Sequence, residues 1–265
     1  MTSRTWTSTI SISTTNTTRA AMSPTVTAII AAAGSGTRLG APMPKAFVPL
    51  RGITLLERSI TAMLTSQVVD AIVVTVSPDM EDYAHRLLRK RDLDEAVTVV
   101  HGGAERADSV WRGLQAIPHT DGVVLVHDSA RALTPPGMIA RVARAVIQGA
   151  PAVIPVLPVA DTIKQVREVE GHVQVEATPD RSALRAVQTP QGFDLAALRE
   201  ANRAYFDQPS FVATDDASLM EWYGVPVHCV QGDPMAFKVT TPMDMLLATQ
   251  VTDSAESTIF EVPSD

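Results

Sequence analysis

The sequence predicts an α/β fold, a mostly parallel sheet with helices on both faces. Short apolar, β-branched runs recur along the chain, and segments with helical spacing lie between them. A strand buried on both faces reads as a continuous apolar run, and strand alternating with helix is the signature of parallel sheets covered by helices. The first run, Val26-Thr-Ala-Ile-Ile-Ala-Ala-Ala33, ends in Gly34-Ser35-Gly36 and predicts a buried strand breaking into a glycine loop. Further strands are expected at Ala71–Val76, Val97–Val100, Val123–Val126, Ala152–Val156 and Val225–Val230. Helical spacing marks Leu55–Leu64, Met80–Leu88, Ser109–Ile117 and Gly137–Ile147. Asp161–Glu176 departs from this pattern. It alternates apolar and polar residues around Glu170-Gly171, which reads either as a hairpin needing a partner surface or as a plain surface excursion.

Residues 1–21 are set apart by composition. The first 20 contain eight Thr and four Ser, with Arg4 and Arg19 and no acidic residue. A transit-type peptide has that composition; a disordered extension, or a start at Met22, is the plainer reading and the one adopted. The expected organisation is therefore an extension over 1–21 and one domain over 22–265, with no internal repeat or dividing linker. The chain has 265 residues, 45% hydrophobic and 19% charged, which excludes a disordered chain. One cysteine excludes a disulfide scaffold and a cysteine-based zinc site. Cys229 lies in an apolar run and is expected to be a core residue of a cytoplasmic protein. A net charge of −7 argues against nucleic acid and anionic lipid as partners, and no apolar run approaches membrane-spanning length.

Three loops follow predicted strands. Ala31-Ala-Ala-Gly34-Ser-Gly36-Thr-Arg38-Leu-Gly40, with Pro44-Lys45 after it, places small residues where backbone N–H groups approach a phosphate chain and adds two cations. It is neither a Walker A loop nor a dinucleotide fingerprint, since no Gly-Lys-Ser/Thr closes it and Leu39 stands at the third glycine. The others are His101-Gly-Gly-Ala-Glu-Arg-Ala-Asp-Ser109 and His127-Asp-Ser-Ala-Arg131. Open parallel sheets bind ligands outside the carboxyl ends of their strands, so the three loops are expected to share one crevice. Asp128 suits Mg²⁺ or a sugar hydroxyl, and an ion pair with Arg131 is its structural alternative. Zinc-helix and serine-elbow motifs are missing, and the six histidines are scattered.

Taken together, Ala28–Leu39 with Pro44-Lys45, Gly102–Val110, Val126–Arg131, Pro158–Lys164, Val187–Phe193, Thr214–Ser218 and Phe237–Pro242 resemble the 2-C-methyl-D-erythritol 4-phosphate cytidylyltransferase family, in order over about residues 26–250. The resemblance implies a Rossmann-like nucleotidyltransferase fold of three layers, with a β arm at about 158–186 that crosses to a second subunit of a homodimer. It implies transfer of a cytidylyl group from CTP to methylerythritol phosphate with Mg²⁺ present. It further implies that Arg38 and Lys45 stabilise the transition state, while Arg181 and Lys238 position the acceptor, Arg181 from the partner arm. Ala32, Ala33, Gly34, Gly36, Gly103, Ala104 and Ser109 are implied around CTP, and Asp128, Arg131, Thr162, Thr189 and Thr214 near the acceptor. The motifs depart from the family at Ser129, Ala132 and 233–237. A ribitol 5-phosphate cytidylyltransferase and a non-catalytic CTP-binding module are the rival readings.

Overall fold

A computed structural model describes residues 24–34, 36–207 and 212–259, so the extension expected at 1–21 lies outside the described residues. In chain order the elements are β1 (Val26–Ala31), β2 (Pro49–Leu50), β3 (Ile53–Thr54), α1 (Leu55–Thr65), β4 (Ala71–Val76), α2 (Glu81–Lys90) and β5 (Val97–His101). There follow α3 (Arg106–Ala116), β6 (Val123–Asp128), α4 (Pro136–Ile147), β7 (Ala152–Pro158), β8 (Gln165–Val169) and β9 (His172–Ala177). The chain continues through β10 (Arg185–Val187), β11 (Gln191–Asp194), α5 (Leu195–Asp207), α6 (Asp216–Trp222), β12 (Val227–Gln231) and α7 (Pro242–Ile259). No described helix is long and apolar enough to cross a membrane.

The main sheet runs β10-β7-β11-β6-β1-β4-β5, with β12 along the other edge of β7. Strands β5, β4, β1 and β6 are mutually parallel; β11 runs antiparallel to both β6 and β7, and β10 antiparallel to β7. The continuous apolar runs are explained by side chains alternating between two buried faces. Val26, Ala28 and Ile30 of β1 pack with Leu56, Ile60 and Met63 of α1 and Leu88 of α2. Ile29 packs on the opposite face with Val110 and Leu114 of α3 and Leu198 of α5. Helix α1 begins at a capping box in which the Thr54 side chain accepts from the Glu57 N–H and the Glu57 carboxylate from the Thr54 N–H.

The alternating segment is a hairpin, and a two-residue loop joins β8 to β9 with Glu170 at φ 50° and Gly171 at φ 76°. Register pairs Val166 with Val175 and Glu168 with Val173, so Val166, Val173 and Val175 share a face, and they are 51%, 73% and 61% exposed. Cys229 corrects an expectation: it is exposed, not a core residue. Its strand, β12, pairs with β7 alone among the described residues, and the strand's His228 and Gln231 are exposed as well. An apolar run at a sheet edge lacks the cover that central strands receive.

Candidate active site

The register of the parallel strands brings the three loops together. Ala31, the last residue of β1, lies opposite Asp128, the last of β6. One cleft is lined by Ala31–Gly34 after β1, Gly103–Arg106 and Ser109 around the start of α3, Asp128–Ala130 after β6, and Lys45, Ala46 and Lys238. Glycines allow this approach. A Cβ on Gly36, which sits at φ +63°, would come 2.3 Å from the Cβ of Lys45; one on Gly102 would come 2.4 Å from that of Ala33; and one on Gly103, 2.1 Å from that of Asp108. Gly36 is thus the residue that lets the loop fold onto Lys45, although it lines none of the cleft.

The wall after β5 is held by its own hydrogen bonds. Ser109 Oγ accepts from the Gly103 N–H at 3.0 Å and donates to the Glu105 carbonyl at 3.1 Å, while the Glu105 N–H donates to Asp108 at 2.9 Å. Arg112 donates to the Gly102 carbonyl at 2.7 Å, and the Gly102 N–H donates to Val76. The Ser109 hydroxyl, expected against the nucleotide, therefore has its proton committed to the loop itself.

Asp128 is the electrostatic centre. Its Oδ1 accepts from Arg106 Nε at 3.0 Å and its Oδ2 from Lys238 Nζ at 2.7 Å. The ion pair considered with Arg131 is corrected, because Arg131 spends its guanidinium on the Ala236 carbonyl at 2.7 Å and the Val187 carbonyl at 3.2 Å. Arg131 thereby ties down the segment that carries Lys238. Gln188 and Asp233 exchange two hydrogen bonds there, and the Asp233 carboxylate accepts from the Met235 N–H at 2.9 Å. Ala236, within the departing segment 233–237, is fully buried. Ala132 packs with Leu39, Leu55 and Val239, and Ser129 accepts from Ser59 through its carbonyl.

Arg106 is the residue that sequence reasoning did not select. It stands in the quoted Gly-Gly-Ala-Glu-Arg motif, but only the fold shows it bridging Asp128 and Asp216, the latter at 2.7 Å. Two carboxylates raise its pKa against burial, and Arg106 with Lys238 holds Asp128 well below the ordinary carboxylate range despite its own burial. Asp216 is buried, and desolvation outweighs Arg106 to leave its pKa above the ordinary value. Burial, and to a lesser degree the neighbouring Lys238, lower the pKa of Lys45, while Asp128 opposes the shift. Burial also pushes His127 down to about 4, so its imidazole is neutral at pH 7.

The other expected residues sit elsewhere. Arg38 is exposed on the turn Thr37–Leu39, outside the lining but close enough for its charge to depress Lys45. Thr189 is buried beneath the cleft, its Oγ accepting from the Asp128 N–H at 3.1 Å and lying 3.0 Å from His127 Nδ1. Thr214 is exposed and lines a separate small cleft together with Arg106, Asp215 and Asp216. Thr162 and Arg181 are exposed at the base of the hairpin, Arg181 donating to the Ala160 carbonyl at 2.6 Å, and neither lines the cleft of its own chain. No cluster of three or more metal-ligating side chains occurs among the described residues. Glu105 and Asp128 are the carboxylates lining the cleft, and both oxygens of Asp128 already face cations.

Residues 26–254 match the family described as IspD, 2-C-methyl-D-erythritol 4-phosphate cytidylyltransferase. A curated protein of that name from Corynebacterium efficiens is 68% identical over 247 residues, covering 91% of this chain and 98% of the relative. Among solved structures, the 2-C-methyl-D-erythritol 4-phosphate cytidylyltransferase of Thermus thermophilus superposes with a TM-score of 0.68 at 36% identity, covering 88% of this chain and all of the other. A 4-diphosphocytidyl-2C-methyl-D-erythritol synthase from Anaerococcus prevotii gives a TM-score of 0.75 at 28% identity, covering 87% and 96%.

Proposed function

The chain belongs to the 2-C-methyl-D-erythritol 4-phosphate cytidylyltransferase family, and from that membership we propose how its cleft transfers a cytidylyl group from CTP to 2-C-methyl-D-erythritol 4-phosphate. The products are 4-diphosphocytidyl-2-C-methyl-D-erythritol and pyrophosphate, in the non-mevalonate isoprenoid route. The observation that carries the reading is the set of cations, Lys45, Arg106 and Lys238, gathered around Asp128 beside a glycine loop.

The chemistry needs no general base. The acceptor's phosphate oxygen is largely dianionic near neutral pH, its second pKa being about 6. It attacks the α-phosphorus of CTP as the bond to pyrophosphate breaks, so the difficulty is bringing anions together and stabilising the charge that develops. Lys45 lines the cleft and Arg38 lies close enough for its charge to act on Lys45, which suits both to the triphosphate. Burial leaves the Lys45 ammonium partly desolvated, which lowers its pKa and strengthens its attraction for phosphate oxygens. Lys238, held by Asp128, and Arg131, which anchors the Lys238 segment, serve the acceptor side. The Gly103 and Ala104 backbone, held by Ser109 at Gly103 and by Arg112 at the preceding Gly102, faces the base together with Ala32. Mg²⁺ enters with the CTP phosphates as part of the substrate, since the donors around Asp128 are cationic and suit an anion better than a second metal ligand set.

The hairpin supports a homodimer. A two-stranded sheet with Val166, Val173 and Val175 exposed on one face is marginal alone and gains stability by covering that face. Arg181 at its base does not line the active-site cleft of its own chain, which fits a role toward the partner's acceptor. The test is pyrophosphate release from CTP with each acceptor: preference for methylerythritol phosphate is expected, preference for ribitol 5-phosphate overturns the acceptor reading, and CTP binding without turnover overturns catalysis. Mixed dimers of Arg181→Ala and Lys45→Ala subunits should regain activity through one intact composite site. No recovery after demonstrated subunit exchange refutes the trans role.

A further inference from the structure

The segment Met43–Phe47 is a wall with two sides. Lys45 and Ala46 line the active-site cleft, whereas Met43 and Phe47 line a second cleft of about 360 Å³ between this segment and the helices α1 and α2. That volume lies within the range of small-molecule sites. Its floor is apolar: Met43, Phe47, Pro49 and Leu87, with Tyr83 standing edge-on to Phe47 at a centroid distance of 5.4 Å. Its rim is cationic: Arg86, Lys90 and Arg91.

The charges at the rim are not balanced. Glu57 is buried and already accepts from the Thr54 N–H at 2.7 Å and from Arg91 at 2.8 Å. Arg86 and Lys90 have no carboxylate within ion-pairing reach among the described residues, and Arg86 lies over the Tyr83 ring at 5.9 Å. An apolar floor beneath two uncompensated cations is complementary to a molecule with an apolar body and an anionic end. A ligand on the floor presses on Tyr83 and Met43, which pack against the core that contains the fully buried Phe47, and close-packed side chains transmit such a displacement to their backbone neighbours. Those neighbours flank Lys45 in sequence.

We propose that this cleft is a second ligand site, for an amphipathic anion with a short apolar chain ending in a phosphate, and that its occupancy alters turnover through the Met43–Phe47 wall. The coupling rests on the catalytic reading of Lys45, whereas binding does not. The probe is n-hexyl phosphate, measured by calorimetry on the full chain and by turnover with CTP and acceptor both saturating. Saturable binding is expected, at least tenfold tighter than that of 1-hexanol or inorganic phosphate, with a change in kcat of at least twofold. The double variant Arg86→Glu/Lys90→Glu should keep its basal kcat, bind the probe at least tenfold more weakly and lose its effect on kcat. Equal binding by wild type and variant, or equal binding of inorganic phosphate, overturns the site. Binding that the variant abolishes but that leaves kcat unchanged overturns the coupling. If Lys45→Met retains full turnover while hexyl phosphate still binds, the catalytic reading has failed and the binding site stands.

Discussion

Replacing Arg106 with methionine removes, among the described residues, the one cation that Asp216 touches and one of the two that hold Asp128. Breaking a buried ion pair from one side typically costs about 3–5 kcal/mol, because the remaining charge stays buried without compensation. Arg106 keeps 29% of its side chain exposed along the cleft, which places the loss near the lower end, about 3 kcal/mol. For a chain of this length each kcal/mol moves Tm by about 2–4 °C, so a fall of about 9 °C is expected. Asp216→Asn in the same background removes the orphaned carboxylate, and the double variant should be at least about 1 kcal/mol more stable than the sum of the single losses. Urea unfolding of wild type, both single variants and the double variant, with the slope m checked for constancy, measures this coupling. Additivity within about 0.5 kcal/mol refutes the bridge as an energetic unit. The same substitution leaves Asp128 to Lys238 alone and draws that cation from its substrate, so kcat/KM should fall in Arg106→Met.

The remaining predictions concern the cleft and its support. Lys45→Met should lower kcat about 10²-fold or more with little change in CTP affinity, and an equal loss of binding with unchanged turnover refutes a transition-state role. Gly103→Ala places a Cβ 2.1 Å from that of Asp108, so the loop must shift and CTP affinity should drop at least tenfold, which equilibrium binding checks. His127 is held neutral in the fold down to about pH 4 but protonates near its ordinary 6.5 when unfolded. The unfolded state therefore binds more protons across that window, and stability should fall by about 3 kcal/mol as pH drops from 6.5 to 4. The tightly held Asp128 adds a loss of the same sign below its ordinary value near 3.8. Denaturant unfolding over pH 4–7, compared with His127→Asn, tests this, and parallel profiles for the two proteins contradict it.

The apolar runs, glycines and spacing marked β1, β4, β5, β6, β7 and β12, helices α1–α4, a candidate hairpin at Glu170-Gly171 and the convergence of three loops, because these depend on local periodicity, on φ angles and on the geometry of parallel sheets, whereas the antiparallel β10 and β11 and helices α5–α7 emerged only in the fold. Lys45 and Asp128 were legible for the same reason, as each lies after a predicted strand or in the loop that follows it, whereas Lys238 came only from the resemblance of Phe237–Pro242 to the family. Partnership was not legible. Asp128 and Arg131 are three apart in sequence, yet Asp128 pairs with Arg106 and Lys238, 22 and 110 residues away, since strand order rather than sequence proximity brings buried charges together. Cys229 shows the same limit for burial, as an apolar run records hydrophobicity but not whether its strand lies inside the sheet or at an edge. The extent of chemistry was thus written in residue types and spacing, while the ion pairs, the two-sided wall at Met43–Phe47 and the separation of Arg181 from its own cleft required the tertiary fold, because each depends on distances between segments far apart in the chain.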